Sequence, residues 1–249
     1  MALALTCALF GSGCYFARSP IRPVPALFAA RDAHTRARCL VVFVPGLMDG
    51  PGSFVEHGLM GDLLASEHAR CDAVAVDLTY RYYFGARPDE PLYEDVLVPA
   101  LARGYDEVWL VGISLGGLGA VLLARAHPEL IDGLVLLSPF LGLEEIAAQI
   151  DAEGGLAAWQ PPSDLPARID DATFGLHVWT WLRGHASDPD RMPQTFVGWS
   201  AGERLEPTAR TLAAVLPADH AVRIEGRHDW HAWRALFREI LPRARMGER

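Results

Sequence analysis

The sequence predicts an α/β fold in which a mostly parallel sheet is flanked by helices and carries a small helical cap. Two patterns point to this fold class. Apolar runs such as RCLVVFV and DEVWLVG show no polar alternation, which is typical of parallel strands covered on both faces. Segments with apolar residues at helical spacing separate the runs, and this alternation predicts right-handed crossovers between parallel strands.

Six apolar runs are predicted strands, and five segments between them are predicted helices. The strands cover residues 38–44, 71–77, 106–112, 132–138, 194–200 and 220–226. The helices lie around residues 54–68, 91–103, 116–127, 206–216 and 229–241. More than fifty residues follow the fourth strand, and connections of that length are usually functional insertions. Residues 140–192 are therefore predicted to form the cap, within a single domain that spans residues 15–249.

The composition favours one catalytic domain and argues against binding to nucleic acid. The chain has 249 residues, of which 51% are hydrophobic, and this is enough for one sizeable core. Its net charge is −9 and its arginines are scattered, so no basic surface for nucleic acid is expected. No Cys/His spacing suggests zinc, and we expect neither a metal nor an organic cofactor.

The N-terminal sequence MALALTCALFGSGCY resembles the end of a bacterial lipoprotein signal. An apolar stretch from Ala2 to Phe10 leads through small residues to Cys14, the position at which such signals carry lipid. No Arg or Lys precedes the apolar stretch, and Gly11 stands where an aliphatic residue is usual. Residues 1–14 are therefore predicted to be a lipoprotein-type signal segment that attaches the protein to a membrane, with a cytoplasmic enzyme as the alternative.

A candidate nucleophile stands in the sequence VWLVGISLGGLGA, where a buried strand runs directly into a helix. Ser114 lies between them, with Gly112 and Gly116 two residues to either side. A serine on such a cramped strand-to-helix turn needs neighbours without side chains, and its hydroxyl then points out of the sheet. In open sheets of this kind, ligands bind at the carboxyl ends of the strands. Ser114 is therefore the predicted nucleophile.

A serine hydroxyl needs a base to take its proton, and histidine suits that task at neutral pH. His228 follows the last predicted strand and precedes the final helix, so it too lies at a carboxyl strand end. His231 is one helical turn further on, where the helix would carry it away. His228 is therefore the predicted base.

The base must be oriented by a carboxylate that follows an earlier strand. Glu203 lies in the Gly-containing loop after the fifth predicted strand and is the favoured acid. Glu206 is three residues away and stays an alternative, while Asp164 and Asp188 in the predicted cap are more distant ones.

Backbone N–H groups are the usual donors for an oxyanion that develops on the substrate. The first predicted strand ends in the Pro-Gly turn of VVFVPGLMDG, where the N–H of Leu47 is a candidate donor. The second candidate is the N–H of Leu115, directly after the nucleophile. The sequence does not separate Leu47 from Met48 in this role.

The motifs FVPGLMDG, LVGISLGGLGA, FVGWSAGERLEP and EGRHDW, in this order, resemble the α/β-hydrolase fold family over residues 38–241. That family has its triad in the chain order Ser, Asp or Glu, His, and the order here agrees. Two features depart from the family. The acid is Glu203 where Asp is commoner, and the antiparallel strands that often begin the fold are not evident before Arg38.

The resemblance implies a serine hydrolase that cleaves an ester-type acyl bond in a small-molecule substrate. The same triad would serve a thioesterase or an acyltransferase, and a binding protein that kept the fold without turnover is a further alternative. Aromatic residues near the predicted cleft suit an apolar acyl or aryl group, although packing of the cap on the core explains them equally well. They are Tyr80, Tyr82, Tyr83, Phe84, Trp159, Trp179 and Trp181.

Two cysteines open the first two predicted strands, and in the α/β-hydrolase family the corresponding strands are neighbours. Cys39 and Cys71 would then begin the strands nearly level, within the Cα separation that a disulfide accepts. Side chains on adjacent parallel strands point the same way, which does not favour the S–S dihedral. We therefore expect two buried free thiols, with a disulfide as the alternative in an oxidising compartment.

Overall fold

The structure is a computed structural model and describes residues 18–248. The predicted signal segment 1–14, including Cys14, lies outside the described residues. Within residues 18–248, no helix is both long enough and apolar enough to cross a membrane.

Seven strands form one sheet in the order β1-β3-β2-β4-β5-β6-β7. They are β1 (Ala26–Ala29), β2 (Cys39–Val44), β3 (Cys71–Val76), β4 (Glu107–Ile113), β5 (Gly133–Leu137), β6 (Gln194–Ser200) and β7 (Ala221–Ile224). Strands β2 to β7 pair in parallel, and the six predicted strands are confirmed. The carboxyl ends of these six strands therefore meet at one edge, where the candidate residues lie.

Strand β1 is the part of the sheet that the sequence did not predict. Its four residues pair antiparallel with β3, from Ala26 opposite Val76 to Ala29 opposite Ala73. Three of the four are exposed, because an edge strand has only one neighbour and little of its surface is covered. The strand is held by backbone pairing and lacks the long apolar run that marks the buried strands.

The helices separate the parallel strands as expected. They are α1 (Pro51–Glu56), α2 (Leu59–Ala65), α3 (Asp89–Leu92), α4 (Val98–Ala102), α5 (Leu115–Ala126), α6 (Glu144–Ala152), α7 (Phe174–Leu182), α8 (Gly184–Ser187), α9 (Glu206–Ala213) and α10 (Trp230–Ala244). A π-helical turn, Tyr93–Leu97, joins α3 to α4. Four 3-10 turns complete the described helical structure: Tyr80–Ala86, Pro128–Leu130, Pro189–Arg191 and Ala218–His220.

Both faces of the sheet are covered, which explains why the strands are apolar without alternation. In β2, Leu40 and Val42 belong to one buried cluster, together with residues of α5 and α7. Val41 and Phe43 belong to the opposite cluster, together with residues of α1, α2 and α10. Every side chain of β2 is buried, so both faces of the strand need apolar residues.

The segment between β5 and β6, residues 138–193, contains helices α6, α7 and α8. Helix α7 packs against α5, and α6 packs against α9, so the segment is anchored on the body of the domain at two points. Trp159 and Trp179 are fully buried within it. These tryptophans pack the segment onto the sheet rather than lining the cleft.

Cys39 and Cys71 form a disulfide, so the expectation of two free thiols is wrong. The two residues are register partners at the start of β2 and β3, with their Cα atoms 4.4 Å apart. The prediction that the strands begin level is confirmed. Both cysteines are fully buried, and the direct register brings their side chains into bonding reach.

Candidate active site

Ser114 occupies the turn between β4 and α5 with a backbone φ of 51°. A positive φ is uncommon for a residue with a side chain and persists only where surrounding contacts enforce it. Three hydrogen bonds do so here. The Ser114 N–H donates to the Leu137 carbonyl at 3.0 Å, and the Ser114 carbonyl accepts from Gly117 and Phe140, both at 2.9 Å.

The two glycines around Ser114 are required by close backbone contact. A Cβ on Gly112 would lie 2.6 Å from the Gly116 carbonyl oxygen, and one on Gly116 would collide with the carbonyl oxygens of Val44 and Pro45. The turn is therefore wedged between its own helix and the end of β2. This packing explains why the predicted glycines flank the serine.

His228 lies in the loop between β7 and α10, and its ring reaches Ser114. The Ser114 Oγ is 3.0 Å from His228 Nε2, close enough for the hydroxyl to donate to the ring nitrogen. The rings of His228 and Trp233 of α10 pack at right angles, with centroids 5.0 Å apart. His231 lies on the exposed face of α10, as its helical position predicts.

Glu203 lies in the loop after β6 and contacts the other nitrogen of the histidine. His228 Nδ1 is 2.9 Å from Glu203 Oε2, and the Ser200 N–H donates to Glu203 Oε1 at 3.0 Å. The Glu203 side chain is only 1% exposed, so both of its oxygens have partners where water has little access. The Ser200 hydroxyl donates to the Arg227 carbonyl at 3.0 Å and so joins this loop to the histidine loop.

The alternative carboxylates do not contact His228. Glu206 accepts from the Gly202 N–H at 2.6 Å and from Arg223 Nε at 3.2 Å. These hydrogen bonds, that of Gly202 above all, hold the pKa of Glu206 below its usual range. Asp188 pairs with Arg191, and Asp164 is exposed. Glu206 thus shapes the loop that presents Glu203.

Two backbone N–H groups lie beside Ser114 without a backbone acceptor in the described part of the chain. Leu115 opens α5, where the first N–H groups of a helix have no partner within the helix. Leu47 lies in the loop formed by residues 45–50, and a Cβ on its neighbour Gly46 would lie 3.4 Å from the Ser114 Cβ. Leu47 and Leu115 both line the cavity that contains Ser114, whereas Met48 does not.

One contact that sequence reasoning missed joins the 45–50 loop to the histidine loop. Trp230 Nε1 donates to Asp49 Oδ1 at 3.1 Å. Trp230 also stacks on His57 and packs edge-on against Phe54. Burial raises the pKa of Asp49 above its usual range. In the sequence, Asp49 lies two residues after Leu47, and Trp230 lies two residues after His228. This nearness to predicted site residues is the only signal that the sequence offers for the contact.

Ser114 and His228 lie in a cavity of about 630 Å³. Its charged lining residues are Asp171 and Arg204, and the rest of the wall is mostly aromatic or aliphatic. The lining side chains include Tyr80, Tyr83, Phe84, Leu118, Phe140, Phe174 and Leu205. Tyr82, predicted near the cleft, is buried instead against Ile21, and Trp181 lines a separate surface depression.

Comparisons with solved structures show the same fold. A ferulic acid esterase has a TM-score of 0.60 at 16% identity, covering 89% of this chain and 96% of that chain. Est1E from Butyrivibrio proteoclasticus has a TM-score of 0.58 at 16% identity, covering 88% and 92%. A monoacylglycerol lipase from Paleococcus ferrophilus has a TM-score of 0.52 at 18% identity, covering 89% and 99%.

The comparison with curated proteins found no match. A family model described as the alpha/beta hydrolase family matches residues 41–246, a range that includes most of β2, all of β3 to β7 and all of the residues assembled around Ser114. The chain therefore belongs to the alpha/beta hydrolase family.

Proposed function

We propose that this protein is a serine hydrolase that cleaves carboxylic ester bonds. One observation carries the proposal. A continuous chain of hydrogen bonds runs from Glu203 Oε2 through the His228 ring to Ser114 Oγ, with distances of 2.9 and 3.0 Å. It ends at the surface of an apolar cavity, where an acyl group would lie next to the hydroxyl.

In the first half of the reaction, Ser114 Oγ attacks the substrate carbonyl while its proton passes to His228 Nε2. Glu203 accepts from Nδ1–H, which fixes the ring orientation and stabilises the imidazolium that forms. The negative charge on the substrate oxygen is held by the N–H groups of Leu47 and Leu115. His228 then returns the proton to the leaving alcohol, and the acyl group stays on Ser114.

In the second half, water takes the place of the alcohol. His228 Nε2 accepts a proton from the attacking water, and a second tetrahedral intermediate collapses to release the acid. The proton returns to Ser114 Oγ, which restores the free enzyme. Each step uses side chains and N–H groups of this chain.

We propose an apolar acyl or aryl group as the part of the substrate that fills the cavity. The aromatic wall supports this, with Phe140 and Phe174 contributed by the segment between β5 and β6. That segment acts as a cap over the site. Two of the similar structures are named as a ferulic acid esterase and a monoacylglycerol lipase, and both names describe enzymes that act on esters.

A thioesterase or an acyltransferase is the second candidate, because the same acyl-enzyme can form from a thioester or pass to another acceptor. The discriminating measurement compares p-nitrophenyl esters of rising chain length with the matching thioesters, with and without an added alcohol acceptor. Ester hydrolysis that is faster than thioester hydrolysis, and unaffected by the alcohol, supports the esterase.

The nucleophile is tested with a fluorophosphonate probe, which labels an activated serine. Wild-type protein is expected to be labelled, and Ser114→Ala is expected to lose both labelling and ester hydrolysis. Ser138→Ala is the matched control. Ser138 also follows a strand and also has a positive φ, of 45°, but its side chain is fully buried. Labelling that survives in Ser114→Ala would place the nucleophile elsewhere.

We also propose that the protein is exported and anchored through a lipidated Cys14. The Cys39–Cys71 disulfide supports export, because such bonds persist in oxidising compartments. Intact mass of the membrane fraction should show lipid on Cys14, and the two other cysteines should be alkylated only after reduction. A chain found only in the cytosol with an unmodified Cys14 would contradict the anchor.

A further inference from the structure

The chain enters the described structure at the same end of the sheet that carries Ser114. Strand β1 runs antiparallel to β3, so its first residue, Ala26, lies opposite Val76 at the carboxyl end of β3. Just before it, the Pro25 carbonyl accepts from the Asp77 N–H at 2.8 Å. Arg18 pairs with the Asp77 side chain at 2.5 Å. The first described residue is therefore fixed at the carboxyl end of the strands.

The entering segment is also fixed to the wall of the cavity. The Tyr82 hydroxyl accepts from the Ile21 N–H at 2.8 Å and donates to the Ile21 carbonyl at 2.5 Å. Tyr82 belongs to the turn Tyr80–Ala86, whose neighbouring residues Tyr83 and Phe84 line the cavity. Residues 18–25 thus pack against the turn that contributes Tyr83 and Phe84 to the cavity wall.

Of the nine large apolar side chains that are exposed within residues 18–248, five lie in or next to segments that form the cavity wall. Leu47 and Phe84 line the cavity yet are 42% and 54% exposed. Leu143 is 59% exposed and precedes Glu144, which pairs with Arg204 of the cavity wall at 3.4 Å. We call this set the apolar rim, and it comprises Ile21, Leu47, Met48, Phe84 and Leu143.

We infer that the apolar rim rests on a lipid bilayer and that the cavity opens toward it. This rests on the proposed anchor and deepens the proposed hydrolase, because the substrate then becomes an apolar ester within the membrane. Cys14 is four residues before Arg18, and a fully extended chain of that length spans at most about 14 Å. Lipid on Cys14 therefore keeps the rim close to the bilayer surface.

The charges beside the rim do not favour anionic lipid. Arg18 pairs with Asp77 and Arg204 with Glu144, while Arg81 Cζ lies 5.6 Å from the centroid of the Phe84 ring. The net charge of the chain is −9. Apolar contact of the rim is therefore expected to add to the anchor, so a zwitterionic bilayer is sufficient.

Hydrogen exchange on the full acylated chain in phosphatidylcholine vesicles tests the orientation. Compared with Cys14→Ala protein in solution, amides in residues 45–49, 81–86 and 141–145 are expected to exchange at least about tenfold more slowly. Residues 66–70 and 103–106, at the opposite end of the sheet, are expected to be unchanged. Equal exchange at the rim, or slower exchange at the opposite end, would overturn the inference.

Paired variants on the Cys14→Ala background test the rim itself. Ile21→Ser with Leu143→Ser is expected to lower hydrolysis of an ester embedded in phosphatidylcholine vesicles about tenfold, with a water-soluble short-chain ester unaffected. Phe28→Ser with Val98→Ser is the matched control, because both residues are comparably exposed but lie on β1 and α4. An equal response of the two pairs, or an equal loss on both esters, would overturn the proposed contact.

The hydrolase proposal and the bilayer proposal fail in different ways. Without fluorophosphonate labelling the hydrolase proposal is wrong, yet the exchange experiment still reports the orientation. With labelling but without protection at the rim, the hydrolase stands and the bilayer contact is wrong.

Discussion

The loops after β4 and β6 both present a residue of the candidate triad, but they are built in different ways. The first loop is held by close backbone packing, in which Gly112 lies against the start of α5 and Gly116 lies against the end of β2. The second is held by side-chain hydrogen bonds, in which Glu203 contacts His228 and Ser200 contacts Arg227. A packing requirement restricts residue type within a short stretch, whereas a hydrogen-bond network depends on partners far away in sequence.

The largest expected effect comes from breaking the packing of the first loop. Gly116→Ala would place a methyl group against the carbonyl oxygens of Val44 and Pro45, and we expect it to lower the free energy of unfolding by about 3 kcal/mol or more. Gly61→Ala is the control, because no atom lies within 4 Å of a Cβ at that position in helix α2. In a helix, Ala is more favourable than Gly by about 1 kcal/mol, so this variant is expected to be stabilised. Urea unfolding measures both, and equal stability of the two variants would refute the packing argument.

The second prediction separates the two glutamates of the β6 loop. Glu203→Gln is expected to lower kcat about 100-fold or more, because His228 loses the carboxylate that stabilises its charged form. Glu206→Gln can still accept from the Gly202 N–H and is expected to keep kcat within about threefold. Ester hydrolysis by folded variants measures the difference. The reverse ranking would assign the acid to Glu206.

The third prediction concerns the contact between the two sides of the site. Asp49→Ala is expected to lower kcat about tenfold with little change in KM, because the 45–50 loop loses its bond to Trp230. Asp49→Asn keeps an acceptor and is expected to restore most of the activity. A loss of activity in both variants would show that the charge, rather than the contact, matters.

The same pair of variants has a pH signature. Burial raises the pKa of Asp49, so the folded state holds that proton more tightly than the unfolded state does. Its contribution to stability is present below the ordinary pKa of the carboxyl and is lost as the pH rises through the raised value. Asp49→Asn is therefore expected to match or exceed the wild-type melting temperature at pH 7, and to show the smaller decrease between pH 4 and pH 7.

The smallest effect is expected at Ser200, whose hydroxyl joins the β6 loop to the histidine loop. Ser200→Ala removes one buried hydrogen bond to the Arg227 carbonyl and is expected to cost about 1 kcal/mol of stability. The Ser200 N–H still donates to Glu203, so kcat is expected to decrease only severalfold. A loss as large as that of Glu203→Gln would show that the histidine loop depends on this hydroxyl.

Much of the fold was predictable because burial on both faces of a parallel sheet leaves long apolar runs in the sequence. Strand β1 was not, since an exposed edge strand of four residues needs only backbone pairing with β3. Sequence pattern does not predict the disulfide for a related reason. Cys39 and Cys71 are in direct register, and a pattern of residue types carries no information about the local twist that brings two sulfur atoms together.

The strand-to-helix turn at Ser114 can be read from residue types alone, because only glycine fits where the backbones of β2, β4 and α5 meet. Residue spacing also places His228 and two glutamates at the carboxyl ends of strands. Packing between distant segments sets which glutamate faces the histidine, how Asp49 meets Trp230, and where the chain enters relative to the cavity. Those outcomes depend on side-chain directions set by contacts between distant segments, and residue spacing does not encode them.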